Sequence, residues 1–71
     1  MSNEELQVYF CRQTIIAREE KLYTRAEAAW LLGISQDKLS RIEKGKTRLK
    51  ALMAFKMAVI YKKPVDFFYP K

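Results

Sequence analysis

Between Thr24 and Gly45 the chain twice uses the same punctuation: a hydroxyl side chain, a short helix-forming run and a glycine, as "TRAEAAWLLG" and then "SQDKLSRIEKG". "TRAE" is a capping box, in which Thr24 caps a helix and Glu27 reaches back to it. Gly33 stops that helix, because glycine turns the chain at positive φ without a Cβ penalty. After Ile34, Ser35 serves as the next N-cap. The helix that follows, over 36–44, ends at Gly45 with lysine in its last turn, where the helix dipole favours a cation. Two helices joined by about three residues, the first one short, are the parts of a helix-turn-helix. They cross steeply, so the contact residue on the first must be small, and Ala29 lies four residues before Gly33. Ile34, Leu39 and Ile42 then face the core with Leu32 beside them, and Gln36, Asp37, Lys38, Ser40, Arg41 and Lys44 are left outward.

The rest of the chain is also helical in propensity. Only two glycines and two prolines interrupt it, so loops are short, and no strand-like alternation is visible. A first helix is expected over 3–21, its start marked by Glu4 and Glu5. Phe10, Thr14 and Ala17 form one stripe, and Val8, Cys11 and Ile15 a neighbouring one. Such a helix is either wrapped widely by the core or meets a partner along one stripe. A fourth helix over 49–61 presents Leu52, Met53, Phe55 and Val59. Lys63 before Pro64 reads as a break, and Pro64 suits the first position of a final short helix, "PVDFFY". The expected architecture is an all-α, compact five-helix bundle, a single domain over 1–71 with its helix-turn-helix core at 24–45.

At 71 residues the chain is near the lower limit for a core without disulfides or metal. Cys11 is its one cysteine and cannot form an internal disulfide, and the absence of histidine removes a zinc constellation. A buried thiol is the expected fate of Cys11. Neither a metal, a cofactor nor catalysis is indicated: the thiol has no partner base, and the carboxylates stand where caps and ion pairs need them. No apolar run approaches the roughly 18 residues of a membrane span, and "MSNEELQ" is unlike a signal peptide, so a reduced, cytoplasmic setting is expected. Charge is unevenly placed. Residues 1–33 are net −1, whereas residues 34–71 carry ten basic residues against Asp37, Glu43 and Asp66, a net +7. A cationic half of this kind points to a polyanion.

The stretch "LYTRAEAAWLLGISQDKLSRIEKGK" resembles the helix-turn-helix DNA-binding domains of the Cro and phage-repressor (XRE) family, with a lambda-repressor-like fold, and the likeness continues more weakly to "PVDFF". The spacing of Ala29, Gly33, Leu39 and Ile42 with "LSRIEKGK" carries the resemblance. It implies that the helix from Gln36 lies in the major groove, with Gln36, Asp37, Ser40 and Arg41 facing bases. Arg25 stands where the family usually has a glutamine on phosphate; Lys46 and Thr47 match a phosphate-gripping loop, flanked by Lys38 and Lys44. Arg18 on the first helix would pair with Glu43 at the end of the recognition helix. The loop lacks its usual proline, Leu22 stands where glycine is common, and Thr14 replaces a core aliphatic residue.

The reading is sequence-specific binding of double-stranded DNA by a small transcriptional regulator, a repressor acting by operator occupancy, bacterial, phage-borne or from a mobile element. A chain of this length leaves no room for an effector domain, so control would come from a weak homodimer, abundance or a regulatory protein partner. An antitoxin-like or excisionase-like DNA binder shares these features. A protein-interaction module using Trp30 and helix one, without a DNA role, is the alternative from another class. Trp30 either packs on a neighbouring helix or, if exposed, marks a protein interface. Phe67, Phe68 and Tyr69 close the core, with part of that cluster open to a two-fold dimer.

Overall fold

The computed structural model describes residues 2–69; Met1, Pro70 and Lys71, at the ends of the 1–71 span, lie outside the described residues. Four α-helices follow in order: α1 (Asn3–Glu20), α2 (Arg25–Leu32), α3 (Gln36–Glu43) and α4 (Ala51–Tyr61). No strand occurs among the described residues. The expected fifth helix is instead a single 3-10 turn over Val65–Phe68, so the bundle has four α-helices rather than five. Pro64 is its extended N-cap at ψ 151°, not its first helical residue, and Tyr69 leaves it extended at ψ 139°. Too few residues lie between those ends to close successive α-helical hydrogen bonds.

Local signals explain the boundaries. In α2 the Glu27 amide donates to Thr24 Oγ1 at 3.1 Å and the Thr24 amide donates to Glu27 Oε1 at 2.9 Å. The bond from the Thr24 amide, and then the Thr24 hydroxyl, hold the Glu27 carboxyl below its ordinary pKa. The α1 start has a second capping box, between Ser2 and Glu5, which the sequence also spells as S-x-x-E. Gly33 ends α2 at φ +73°, and the Ile34 amide donates back to the Ala29 carbonyl at 3.0 Å. α4 begins two residues later than expected because Leu49 is buried and pins the preceding segment to the core, leaving Lys50 extended.

The core forms where α2, α3 and α4 converge on α1. Ala17, Ala28, Ala29, Ala54 and Ala58 are all buried, which lets the helix backbones approach closely, and Leu39, Met57, Tyr61 and Phe68 fill the space between them. Thr14 is fully buried as well. Its hydroxyl donates to the Cys11 carbonyl of its own helix at 2.7 Å, so a polar residue replaces an aliphatic one without an orphaned donor. The face of α4 read from the sequence is largely reversed. Only Met53 packs against the core, whereas Leu52, Phe55 and Val59 are exposed. The smaller stripe Ala54, Met57, Ala58 and Tyr61 turns inward because it fits the close approach.

Leu22 connects α1 to α2 at φ +59°, with its side chain 87% exposed. It bears the crowding of the left-handed region, and no burial offsets it. Leu22→Gly is expected to stabilise the fold by about 0.5–1 kcal/mol after allowing for glycine's larger unfolded-state entropy, raising Tm by roughly 2–8 °C. Thermal melts of the two proteins check this; a Tm at or below that of the parent would mean that the connection carries no strain.

Candidate nucleic-acid interface

α3 divides its residues sharply between two sides. Leu39, Ile42 and Glu43 are buried; Gln36, Asp37, Lys38 and Arg41 are exposed, and Ser40 is half-buried. Lys44, the C-cap, is exposed. Ser35 starts the helix by accepting the Lys38 amide at 3.1 Å. The outward side therefore carries amide, hydroxyl, guanidinium and ammonium donors, the inventory that reads base edges and phosphates. Asp37 is the exception, and Arg41 Nη2 lies 3.1 Å from its carboxylate. Both side chains are well exposed, and a surface pair of this kind is worth only about 0–1 kcal/mol. It holds Arg41 across the helix surface but opens at little cost when a stronger acceptor arrives.

The loop after α3 is held by α1. Gly45 sits at φ +78°, and a Cβ there would stand 3.3 Å from Cys11 Sγ, so glycine meets both the backbone and the close contact. Burial raises the Cys11 thiol pKa, which keeps it a packing group. Gln7 Nε2 donates to the Thr47 carbonyl at 3.1 Å. The amides of Lys46 and Thr47 donate to the Arg41 carbonyl at 2.9 and 3.3 Å, so they serve the helix end rather than an outside ligand. What the loop offers outward is the Lys46 ammonium, with Thr47 half-buried behind it. Lys38, Arg48, Lys50 and Lys56 rim an adjoining groove between α3 and α4.

Arg18, Arg25 and Glu43 meet where α1, α2 and α3 converge. Arg18 Nε donates to Glu43 Oε2 at 2.7 Å, its Nη2 donates to Oε1 at 3.3 Å, and its Nη1 donates to the Tyr23 carbonyl at 2.9 Å. Arg25 Nε donates to the same Oε1 at 2.9 Å. The Glu43 side chain is 1% exposed and that of Arg25 is 50% exposed. The sequence suggested Arg18 with Glu43; the third member was missed because nothing in the spacing aims Arg25 inward. Tyr61 lies close enough for the Glu43 charge to act on it, and its hydroxyl is buried without a partner. Burial, then the Glu43 carboxylate, pushes its pKa far up, so it remains neutral and adds no second negative charge.

Trp30 is 80% exposed and does not pack into the bundle. With Leu31, Phe55 and Val59 it lines an apolar groove between α2 and α4. Phe68 is buried, and Phe67 and Tyr69 pack partly against the core. The open apolar surface thus lies mainly on α2 and α4, with Val8 and Ile16 the exposed members of α1. Among the described residues, no group of three or more histidine, cysteine or carboxylate side chains could hold a metal, and no helix is long and apolar enough to cross a membrane.

Removing Glu43 would leave the Arg18 guanidinium buried without a counter-charge. Glu43→Ala is expected to cost on the order of 3–5 kcal/mol, a large share of the stability of so small a domain. Thermal unfolding followed by circular dichroism checks this, and a Tm within about two degrees of the parent would show that the pair contributes little.

Comparison with known proteins agrees with this geometry. A family model described as helix-turn-helix, HTH_3, matches residues 16–68. The crystal structure of an HTH_3 family transcriptional regulator from Vibrio cholerae is similar, with a TM-score of 0.84 at 19% identity. The alignment covers 94% of this chain and 38% of that one, so the present chain spans well under half the length of that regulator. At this identity the likeness concerns the fold. No curated protein matches the chain. The family match runs from the second half of α1 through the 3-10 turn and covers most of the sequence, and the chain belongs to the HTH_3 helix-turn-helix family, of the Cro and phage-repressor (XRE) type.

Proposed function

We propose that this chain binds double-stranded DNA as a small transcriptional regulator, with α3 in the major groove. The observation that carries the reading is the division of α3: an apolar side seated on α2 and a donor-rich side, Gln36 to Arg41, left free in a family member whose second half is strongly cationic. Gln36, Asp37, Ser40 and Arg41 read base edges, and Arg25, Lys38, Lys44, Lys46 and Thr47 fix register on phosphates. The Vibrio cholerae protein of similar fold is a transcriptional regulator, which favours the same role here. Repression by operator occupancy is the simplest action for such a module. Antitoxin-like and excision-directing binders use the same contacts and differ in genetic context.

Reading and gripping separate experimentally. Arg41→Ala is expected to cost about 1–3 kcal/mol on a selected duplex and much less on random DNA. Lys46→Ala weakens both and lowers the salt slope by about one. Binding isotherms on both duplexes across a salt series decide this. Equal loss from Arg41→Ala on the two DNAs would make Arg41 a phosphate contact and move reading to Gln36 and Ser40.

The exposed groove of Trp30, Leu31, Phe55 and Val59 favours a protein contact in addition, and we assign it to a weak two-fold dimer that DNA strengthens. Such a dimer reads half-sites about 34–36 Å apart. In sedimentation with DNA, Phe55→Ser should shift the complex from two chains towards one. A parent protein that stays monomeric and binds one per isolated half-site rejects the dimer, and leaves the groove to a regulatory protein of another kind.

A further inference from the structure

We infer that Glu43 is a positioning residue for DNA binding: it grips Arg25 by Nε and turns the rest of that guanidinium outward as a phosphate clamp at the start of α2. The inference rests on the DNA-binding reading above and assigns one carboxylate a role in it.

Each guanidinium of the cluster is engaged differently. Arg18 commits its Nε and Nη2 to Glu43 and its Nη1 to the Tyr23 carbonyl, so it is consumed inside the fold. Arg25 commits only Nε, and a guanidinium has five N–H donors, leaving the four on Nη1 and Nη2. Those four lie on a side chain that is half exposed, while the oxygen that holds it belongs to a side chain almost wholly buried. A free arginine samples many rotamers, whereas one anchored at Nε by a buried carboxylate has lost that freedom before any ligand arrives.

Charge points the same way. Two guanidiniums share one carboxylate, and Tyr61 is held neutral, so the cluster carries a net positive charge whose open side is Arg25. Arg25 is also the first residue of α2, where the helix dipole favours an anion. The nearby Glu27 carboxylate is committed to the Thr24 amide. A phosphate oxygen pair matches the two terminal nitrogens in bidentate geometry. Because Glu43 is the last residue of α3, the same carboxylate ties that clamp to the end of the reading helix and sets the distance between them.

A double-mutant cycle in DNA affinity tests the assignment. The probe is a duplex enriched by the parent protein from a random-sequence pool, and all variants are measured at a temperature where circular dichroism shows them folded. Arg25→Ala is expected to weaken binding about tenfold and lower the salt slope by about one. Glu43→Gln keeps the shape and one acceptor but loses the charge that grips Arg25. It should weaken binding several-fold in the parent and have almost no effect in the Arg25→Ala background. Loss by the same factor in both backgrounds means that Glu43 acts only through Arg18 and the fold, and overturns the inference. If Glu43→Gln does not fold, Arg25→Lys decides. It keeps the charge but lacks the Nε–H fork, so binding as weak as Arg25→Ala supports the clamp and binding equal to the parent overturns it. An Arg25→Ala protein with unchanged affinity and salt slope is a different failure: it removes phosphate binding at α2 altogether.

Discussion

The carboxylate of Glu43 meets two guanidiniums at the junction of α1, α2 and α3, and the mutual placement of those helices depends on that contact. α3 is short, and its apolar side alone would let it rotate or slide on α2, since small buried side chains give little resistance to sliding. A buried, geometrically demanding ion pair penalises such slippage, because any displacement leaves a charge without its partner. The pair also reaches Tyr23 through Arg18 Nη1, which ties the connection before α2 to the end of α3.

Around that junction the structure relies on close approach more than on bulk. Five buried alanines line the helix contacts, and the loop after α3 lies so near α1 that a Cβ on Gly45 would crowd Cys11 Sγ. Larger apolar residues are displaced as a result. Trp30, Leu52, Phe55 and Val59 have no room inside and form an open apolar surface beside a strongly basic one. In a domain of this size the apolar area left outside is a real loss of core, and exposed patches of this kind are the surfaces that protein contacts commonly use.

The outward side of α3 is restrained electrostatically. Arg41 lies against Asp37 in an exposed pair, among lysines whose charge extends over a Debye length of about 8–10 Å. Their field is therefore broad, whereas the exposed Asp37–Arg41 pair, worth only about 0–1 kcal/mol, opens at little cost.

Much of this was legible in the residues. Thr24 with Glu27, Gly33, Ser35 and Gly45 determine where α2 and α3 start and stop, because capping and positive φ are local matters settled within a few residues. Ala29, Leu39 and Ile42 followed from helical periodicity combined with a steep crossing. Local information did not suffice for α4: Leu52, Phe55 and Val59 repeat at helical spacing as well as Ala54, Met57, Ala58 and Tyr61 do, and hydrophobicity cannot choose between two apolar faces. Only the space left by α1 and α2 chose the smaller face for the interior. The same holds for Arg25, whose position at the head of α2 says nothing of Glu43 eighteen residues later. The closeness of those two side chains is a product of how the helices pack, and so only the tertiary structure decided it.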